Sequence, residues 1–356
     1  MAGTIAMRKF LRRAALTTLK SAGVFGIVKN SEWRRQRLLI LCYHGVSLED
    51  EHEWSPGLFF SPQHLERRLD TLKKGNYAVL PLGDALERLY RKDLPPRSVV
   101  ITFDDGTYDF YRQAYPRLKQ HGFPATVYLT TYYGDYQRPV FRLICMYMMW
   151  KVRDRGTADL AEFGVSRPVP LASVKARRDA ADELLQWVER QNLTGEQEDQ
   201  AAAALARHLQ IDYEELRAKR ILQLMNRQEV KQLADAGVDI QLHTHRHRTP
   251  LNEELFRREI RENRAWISSA AGIVGKHFCY PSGVYRSEFL PWLAAEQVVS
   301  ATTCDTGLAT CRDNPLLLPR LVDTSGRTDL EFESWANGVG HFLPRRRRAP
   351  LHYAAD

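Results

Sequence analysis

From Leu38 onward, short apolar runs alternate with amphipathic segments, and that rhythm restricts the chain to one class of architecture. LLILCYH (Leu38–His44), YAVLPL (Tyr77–Leu82), SVVITF (Ser98–Phe103) and ATVYLT (Ala125–Thr130) read as strands. Between the first two, SPQHLERRLDTLKKGN has Ser61 as a helix cap, Pro62 at the first helical position and a stop near Gly75. DALERLYRK and Tyr108–Gln120 read as further helices. Repeated β-then-α units imply a parallel sheet, either open and doubly wound or closed as a barrel.

The rhythm breaks from about Arg138 to Arg227, where runs such as RRDAADELLQWVERQ and QEDQAAAALARHLQ are almost wholly helix-forming. This reads as a helical insertion with a loop at Arg167–Ser173, and its lone His208 reads as a surface residue. Alternation then resumes with expected strands at Val238–Leu242, His277–Tyr280, Val298–Thr302 and Leu316–Asp323. Helices are expected at Glu253–Ala271, Phe289–Glu296 and Leu330–Asn337. The chain thus divides into a basic N-terminal segment (1–36), two barrel parts (37–137 and 228–340), the insertion (138–227) and a basic tail (341–356).

Lys and Arg outnumber Asp and Glu by 51 to 43, a net charge of +8, part of it local to Arg8–Arg13 and Arg345–Arg348. No recognised nucleic-acid-binding motif accompanies this charge, so nucleic acid is not the expected partner. The five cysteines, Cys42, Cys145, Cys279, Cys304 and Cys311, show no CxxC spacing. Three lie within apolar runs, which favours free thiols and a reducing, cytoplasmic setting; Cys304 and Cys311 are the pair open to joining if the protein is exported. No apolar stretch is long enough to span a bilayer. Near the start, Met7, Phe10, Leu11, Ala14 and Ala15 share one helical face and Arg8, Lys9, Arg12 and Arg13 lie opposite. That is the pattern of a helix lying on the inner face of a membrane, although a helix packed on its own domain would look similar.

Chemistry concentrates at two strand ends, where parallel β/α folds carry their functional residues. VVITFDDGTYD places Asp104 and Asp105 side by side where an apolar run stops at Gly106, and HTHRH (His243–His247) follows another strand. One carboxylate and two imidazoles supply three ligands for a hydrolytic metal site, with a position left for water. A metal-bound carboxylate cannot easily accept a proton, but a free neighbour, kept ionised by the cation, can. Gly106 would let both carboxylates reach one pocket. A spacing of four suits one helical turn after the strand and would aim His243 and His247 at one ion, leaving His245 without a role.

TFDDG, HTHRH, LCYHGV, YPRLKQHGFPATVYLTT and FCYPSG occur in the order found in the NodB-type polysaccharide deacetylases, carbohydrate esterase family 4. The resemblance covers about Leu38–Phe332 apart from the insertion, and it is nearest to branches with FxYPxG and LPR segments. It implies a distorted (β/α)7-type barrel that binds one divalent metal, zinc or, in its place, cobalt or nickel. By position, Asp105, His243 and His247 would hold the metal and Asp104 would be the general base. The amide of Ser282 would face the oxyanion, and Tyr280 would line the sugar site. The family's third-motif arginine is replaced by Cys279, and LLLPRLVD lacks the family's fifth-motif histidine. Arg320 is the candidate for the first role; His44, or failing it His341, is the candidate general acid. The activity implied is N-deacetylation of acetylated amino sugars in a surface glycan or exopolysaccharide. A deacetylase or deformylase of a lipid-linked sugar, or a glycan-binding member with a decayed site, are the alternatives.

Overall fold

The computed structural model describes residues 2–343. Seven parallel strands close into a barrel: β1 (Leu39–Tyr43), β2 (Ser98–Asp105), β3 (Thr126–Leu129), β4 (Asp239–Leu242), β5 (His277–Cys279), β6 (Ser300–Thr306) and β7 (Leu318–Val322). Their order around the ring is β1-β7-β6-β5-β4-β3-β2, and β2 returns to β1 over Leu39↔Val99 to Tyr43↔Phe103. The ring is uneven. Only Phe278↔Leu242 joins β5 to β4, and the β6–β7 register shifts between Thr302 and Thr306.

The main helices are α1 (Ala2–Ser21), α2 (Pro62–Lys74), α3 (Leu82–Arg91), α4 (Tyr115–His121), α5 (Phe141–Lys151), α6 (Val174–Arg190), α7 (Gly195–His208), α8 (Arg227–Asp235), α9 (Glu253–Ala271), α10 (Phe289–Ala295) and α11 (Asp329–Asn337). Strand alternation separates two cores. Val99, Ile101 and Phe103 of β2 join the large cluster beneath the helices. Val100, with Ile40, Tyr128, Cys279 and Leu318, joins a second cluster with Leu82, Ala85, Leu86 and Leu89 of α3. Helix α3 thus closes one end of the barrel, and the interior beyond Val100 is left to Thr102 and Asp104.

Residues 141–222 bury a separate cluster, including Ile144, Met148, Ala181, Leu184 and Leu205, with Phe59 against it. Inside the stretch expected as a loop, Val169–Pro170 pairs antiparallel with Thr157–Ala158. Several expected boundaries move for local reasons. YAVLPL keeps only Ala78–Val79 as strand, since Pro81 has no N–H to donate and α3 begins beside it. The helix expected over Tyr108–Gln120 opens as a wide π-type turn at Phe110–Ala114 before α4, because Pro116 cannot bond back to the preceding turn. All five cysteines are free, Cys304 and Cys311 included. The arginine run at 345–348 lies outside the described residues.

The site-facing end of β7 is anchored by a buried arginine on α2. Arg68 donates from Nε to Asp323 Oδ2 at 2.8 Å and from Nη2 to the Arg327 carbonyl at 2.6 Å, with Phe332 beneath its guanidinium. Both Arg68 and Asp323 are inaccessible to solvent, so loss of one partner strands a buried charge. Arg327 also reaches Asp323, at 3.0 Å, and softens that loss. Arg68→Met is therefore expected to lower unfolding free energy by about 3 kcal/mol in urea titration, the low end for breaking a buried pair. A stability within about 0.5 kcal/mol of wild type, the range of an ordinary surface change, would refute this account.

Candidate active site

β2 ends in the adjacent carboxylates, paired across to β3 as Asp104↔Tyr128 and Asp105↔Leu129. In a regular strand the two would face opposite sides of the sheet. The chain turns left-handed at Asp105 itself (φ 71°) and stays so at Gly106 (φ 78°), so the turn starts one residue before the glycine. A side chain at Gly106 would meet Leu129 Cδ1 at 2.2 Å. The left-handed step costs a non-glycine residue energy, and such strain is characteristic of functional sites.

Asp104 points into the barrel, where Arg320 of β7 grips it. Nη1 donates to Oδ1 and Nη2 to Oδ2, both at 2.8 Å, a planar two-point contact that lysine could not make. Arg320 is 0% exposed and Asp104 2%, so Arg320 is no surface arginine. The guanidinium is fixed in turn by the Thr303 carbonyl (2.9 Å from Nε) and Thr102 Oγ1 (3.3 Å from Nη1). Cys42 and Cys279 each set a thiol 3.4 Å from Asp104 Oδ2. Burial alone would raise the Asp104 pKa, but the Arg320 charge and hydrogen bonds outweigh it and hold the carboxyl well below the usual range. Cys279 occupies the third-motif place, its Sγ 3.0 Å from Arg320 Nη2, and the guanidinium arrives from β7 instead.

Asp105 faces the two histidines. Its Oδ1 lies 3.3 Å from Nε2 of both His243 and His247. His243–His247 form no helical turn, contrary to the spacing argument. They run as an irregular loop with Thr244 (φ 63°) and His247 (φ 55°) left-handed, and this folds both rings onto Asp105. His243 Nδ1 sits 2.8 Å from the Cys279 carbonyl and must donate to it, which leaves the Nε2 lone pair facing Asp105.

These residues fit a divalent cation. Ligand atoms of Asp105, His243 and His247 lie within 4.8 Å of one another. Asp105 Oδ1 is buried yet finds no well-aligned hydrogen-bond donor among the described residues. An anionic oxygen and imidazole lone pairs converging without a donor is the chemistry of a metal-ligand set.

The remaining candidates divide. His44, just beyond β1, has a ring nitrogen within 4.8 Å of an Asp104 oxygen and the Cys42 sulfur, and its Nδ1 has no hydrogen-bond partner among the described residues. His341 packs edge-to-face against Trp33 and Phe342 and is not part of this constellation. Tyr280 does not line the pocket: it is fully buried, and its hydroxyl donates to the Leu316 carbonyl at 3.0 Å. Ser282 is exposed in the turn after β5, left-handed at φ 56°.

Sequence reasoning missed the scaffold of the histidine loop. Buried Asn263 of α9 accepts from the His243 N–H at 3.0 Å and donates to the Leu129 carbonyl at 2.9 Å. Buried Glu259, one helical turn earlier, accepts from the Arg246 N–H at 2.7 Å. His245 is held by Thr131 Oγ1 at 2.8 Å from its Nδ1, so its work is structural. Polar residues at helical spacing on a helix that otherwise buries apolar side chains were the available signal. Asp109 was also missed. It accepts from the Val46 N–H at 2.8 Å, tying the segment after His44 to the Asp-Asp turn, and burial pushes its pKa up to about 8.

Comparison with known proteins agrees with this geometry. A protein of Bacillus subtilis (strain 168), YxkH, named for polysaccharide deacetylation, is 33% identical over 94 residues, 26% of this chain and 32% of that protein. The match thus spans about a third of that relative's length. Among solved structures, the Streptococcus pyogenes deacetylase PplD in complex with acetate superposes with a TM-score of 0.55 at 18% identity, over 86% of this chain and 99% of that one. IcaB from Ammonifex degensii gives 0.52 at 17% identity, over 85% and 97%. These likenesses show a shared fold. The family model described as "Polysaccharide deacetylase" matches residues 91–298, more than half of the chain, and the protein belongs to that family.

Proposed function

We propose that the protein is a metal-dependent hydrolase that removes N-acetyl groups from amino sugars of a poly- or oligosaccharide, in the making of a surface glycan or exopolysaccharide. One observation carries the reading: two adjacent carboxylates are separated by the fold into two electrostatic settings, one gripped by Arg320 and one opposed to two imidazoles. A divalent cation on Asp105, His243 and His247, zinc by ligand type, would lower the pKa of a bound water and polarise the acetamide carbonyl. Asp104, kept ionised by Arg320, takes the proton of the attacking water. Arg320 keeps that carboxylate in one orientation. The Ser282 amide is the donor assigned to the oxyanion. His44, with one ring nitrogen within 4.8 Å of an Asp104 oxygen and an Nδ1 that has no hydrogen-bond partner among the described residues, delivers a proton to the departing sugar amine. The acetate named with the PplD structure is the product such a reaction releases.

Acetate release from a chitin oligomer, followed with metal analysis of the purified protein, tests the assignment. Asp105→Ala, His243→Ala and His247→Ala are each expected to lose bound metal. Asp104→Asn is expected to keep it and lose roughly 10²–10⁴-fold in turnover, the usual worth of a general base. Metal loss in Asp104→Asn with retention in Asp105→Ala would exchange the two roles.

Arg320 has a separate signature. Its charge holds the Asp104 pKa down, so Asp104 is ionised throughout the neutral range and does not set the acid limb of wild-type activity. Arg320→Lys keeps a positive charge but loses the two-point grip, and the Asp104 pKa is expected to rise. Turnover should fall and the acid limb of the kcat/KM profile should move to higher pH, with metal content unchanged. An unaltered profile and wild-type turnover would remove Arg320 from the mechanism.

A further inference from the structure

We propose that helix α1 docks the protein on an anionic lipid surface through an apolar face turned away from the barrel. Residues 12, 16, 19 and 20 form the side that meets the rest of the chain. Leu16 is fully buried, Arg12 pairs with Glu331 at 3.2 Å and Lys20 with Glu333 at 2.5 Å, both acceptors on α11. Each residue advances about 100° around a helix, so Met7, Phe10, Leu11 and Ala14 lie on the opposite side. They are exposed there: Met7 58%, Phe10 67% and Leu11 57%. A helix whose apolar side served only its own domain would bury these residues and expose the ion-paired side. The orientation is the reverse.

Charge identifies what covers this face. Helix α1 carries five basic residues, Arg8, Lys9, Arg12, Arg13 and Lys20, and no acidic one. Among the described side chains, Arg12 and Lys20 have ion-pair partners on α11, and Arg13 is exposed. A second copy docking through the same face would bring two such helices together against their own repulsion. An anionic bilayer complements both features, taking the large side chains below its headgroups and the basic residues among them. No helix among the described residues is long and apolar enough to cross a membrane, so the contact is peripheral.

Sedimentation of the full-length protein with vesicles tests this, using phosphatidylcholine alone and phosphatidylcholine with phosphatidylglycerol. Wild type is expected to sediment with the anionic vesicles, less so as salt is raised. Phe10→Glu/Leu11→Glu should lower the partition coefficient at least about 10-fold, since each side chain loses its apolar transfer. Arg13→Gln should lower it by about 5-fold. The Tm and acetate release on soluble substrate should match wild type in both variants. Equal sedimentation of wild type and the double variant would overturn the proposal, as would failure of wild type to bind anionic vesicles. A concentration-dependent dimer in vesicle-free ultracentrifugation that the double variant abolishes would overturn it in favour of a second copy. The sedimentation and ultracentrifugation outcomes do not depend on whether the barrel is a deacetylase.

Discussion

A guanidinium closed inside a barrel with one carboxylate is the interaction on which the site depends. Arg320 and Asp104 lie on strands that are not neighbours, since β1 stands between β7 and β2. Their two-point contact therefore spans the interior. Taking both charges out of water is costly, and the cost is offset only because every guanidinium nitrogen finds an acceptor or a thiol and both carboxylate oxygens find donors. An aspartate held this way has a fixed direction and a depressed pKa at once. Thr102, Tyr128, Cys42 and Cys279 are the remainder of this polar interior, and α3 seals the end below them with leucine.

The second half of the site is built by a different device. The histidine loop has no regular structure of its own, and its shape is imposed by side chains of α9. Asn263 and Glu259 satisfy the loop's backbone N–H groups, as strand partners would have done. Because Asn263 also donates to the Leu129 carbonyl at the end of β3, one amide group couples the histidine loop to the strand beside the Asp-Asp turn. Rigid elements thus place the ligands, while left-handed residues at Asp105, Thr244 and His247 provide the changes of direction that regular strands cannot.

Much of this was legible in the residues. Alternating apolar runs and capped amphipathic segments mark the strands and most helices, because periodicity reflects which face is buried. Ser61 and Pro62 do begin a helix, and Glu253–Ala271 is one from end to end. Asp104, Asp105, His243 and His247 were found from their places at strand ends. Arg320 was found from a gap, since Cys279 cannot hold a carboxylate as a guanidinium does. The helical turn expected at HTHRH failed because a spacing of four is only one way to bring two rings together. Tyr280 was assigned to the pocket by position alone, and the structure buries it in the core beneath the helices, away from the barrel interior.

The sequence by itself determined the repeating β/α class of fold and the residues able to ligate, since each follows from residue type and local period, whereas which of the two adjacent carboxylates takes which role rests on the resemblance to the deacetylase family. Strand periodicity alone allows an open or a closed sheet, and closure was decided only in three dimensions, because it depends on β2 pairing with β1 across the 54 residues between Tyr43 and Ser98. The same holds for Asn263 and Glu259, ordinary helix residues until the loop folds onto them. It holds too for α1, whose amphipathic pattern is the same whichever side faces the protein. Its orientation was settled by where Leu16 finds a core and where Arg12 and Lys20 find carboxylates, contacts with α11 more than 300 residues away that no local pattern encodes.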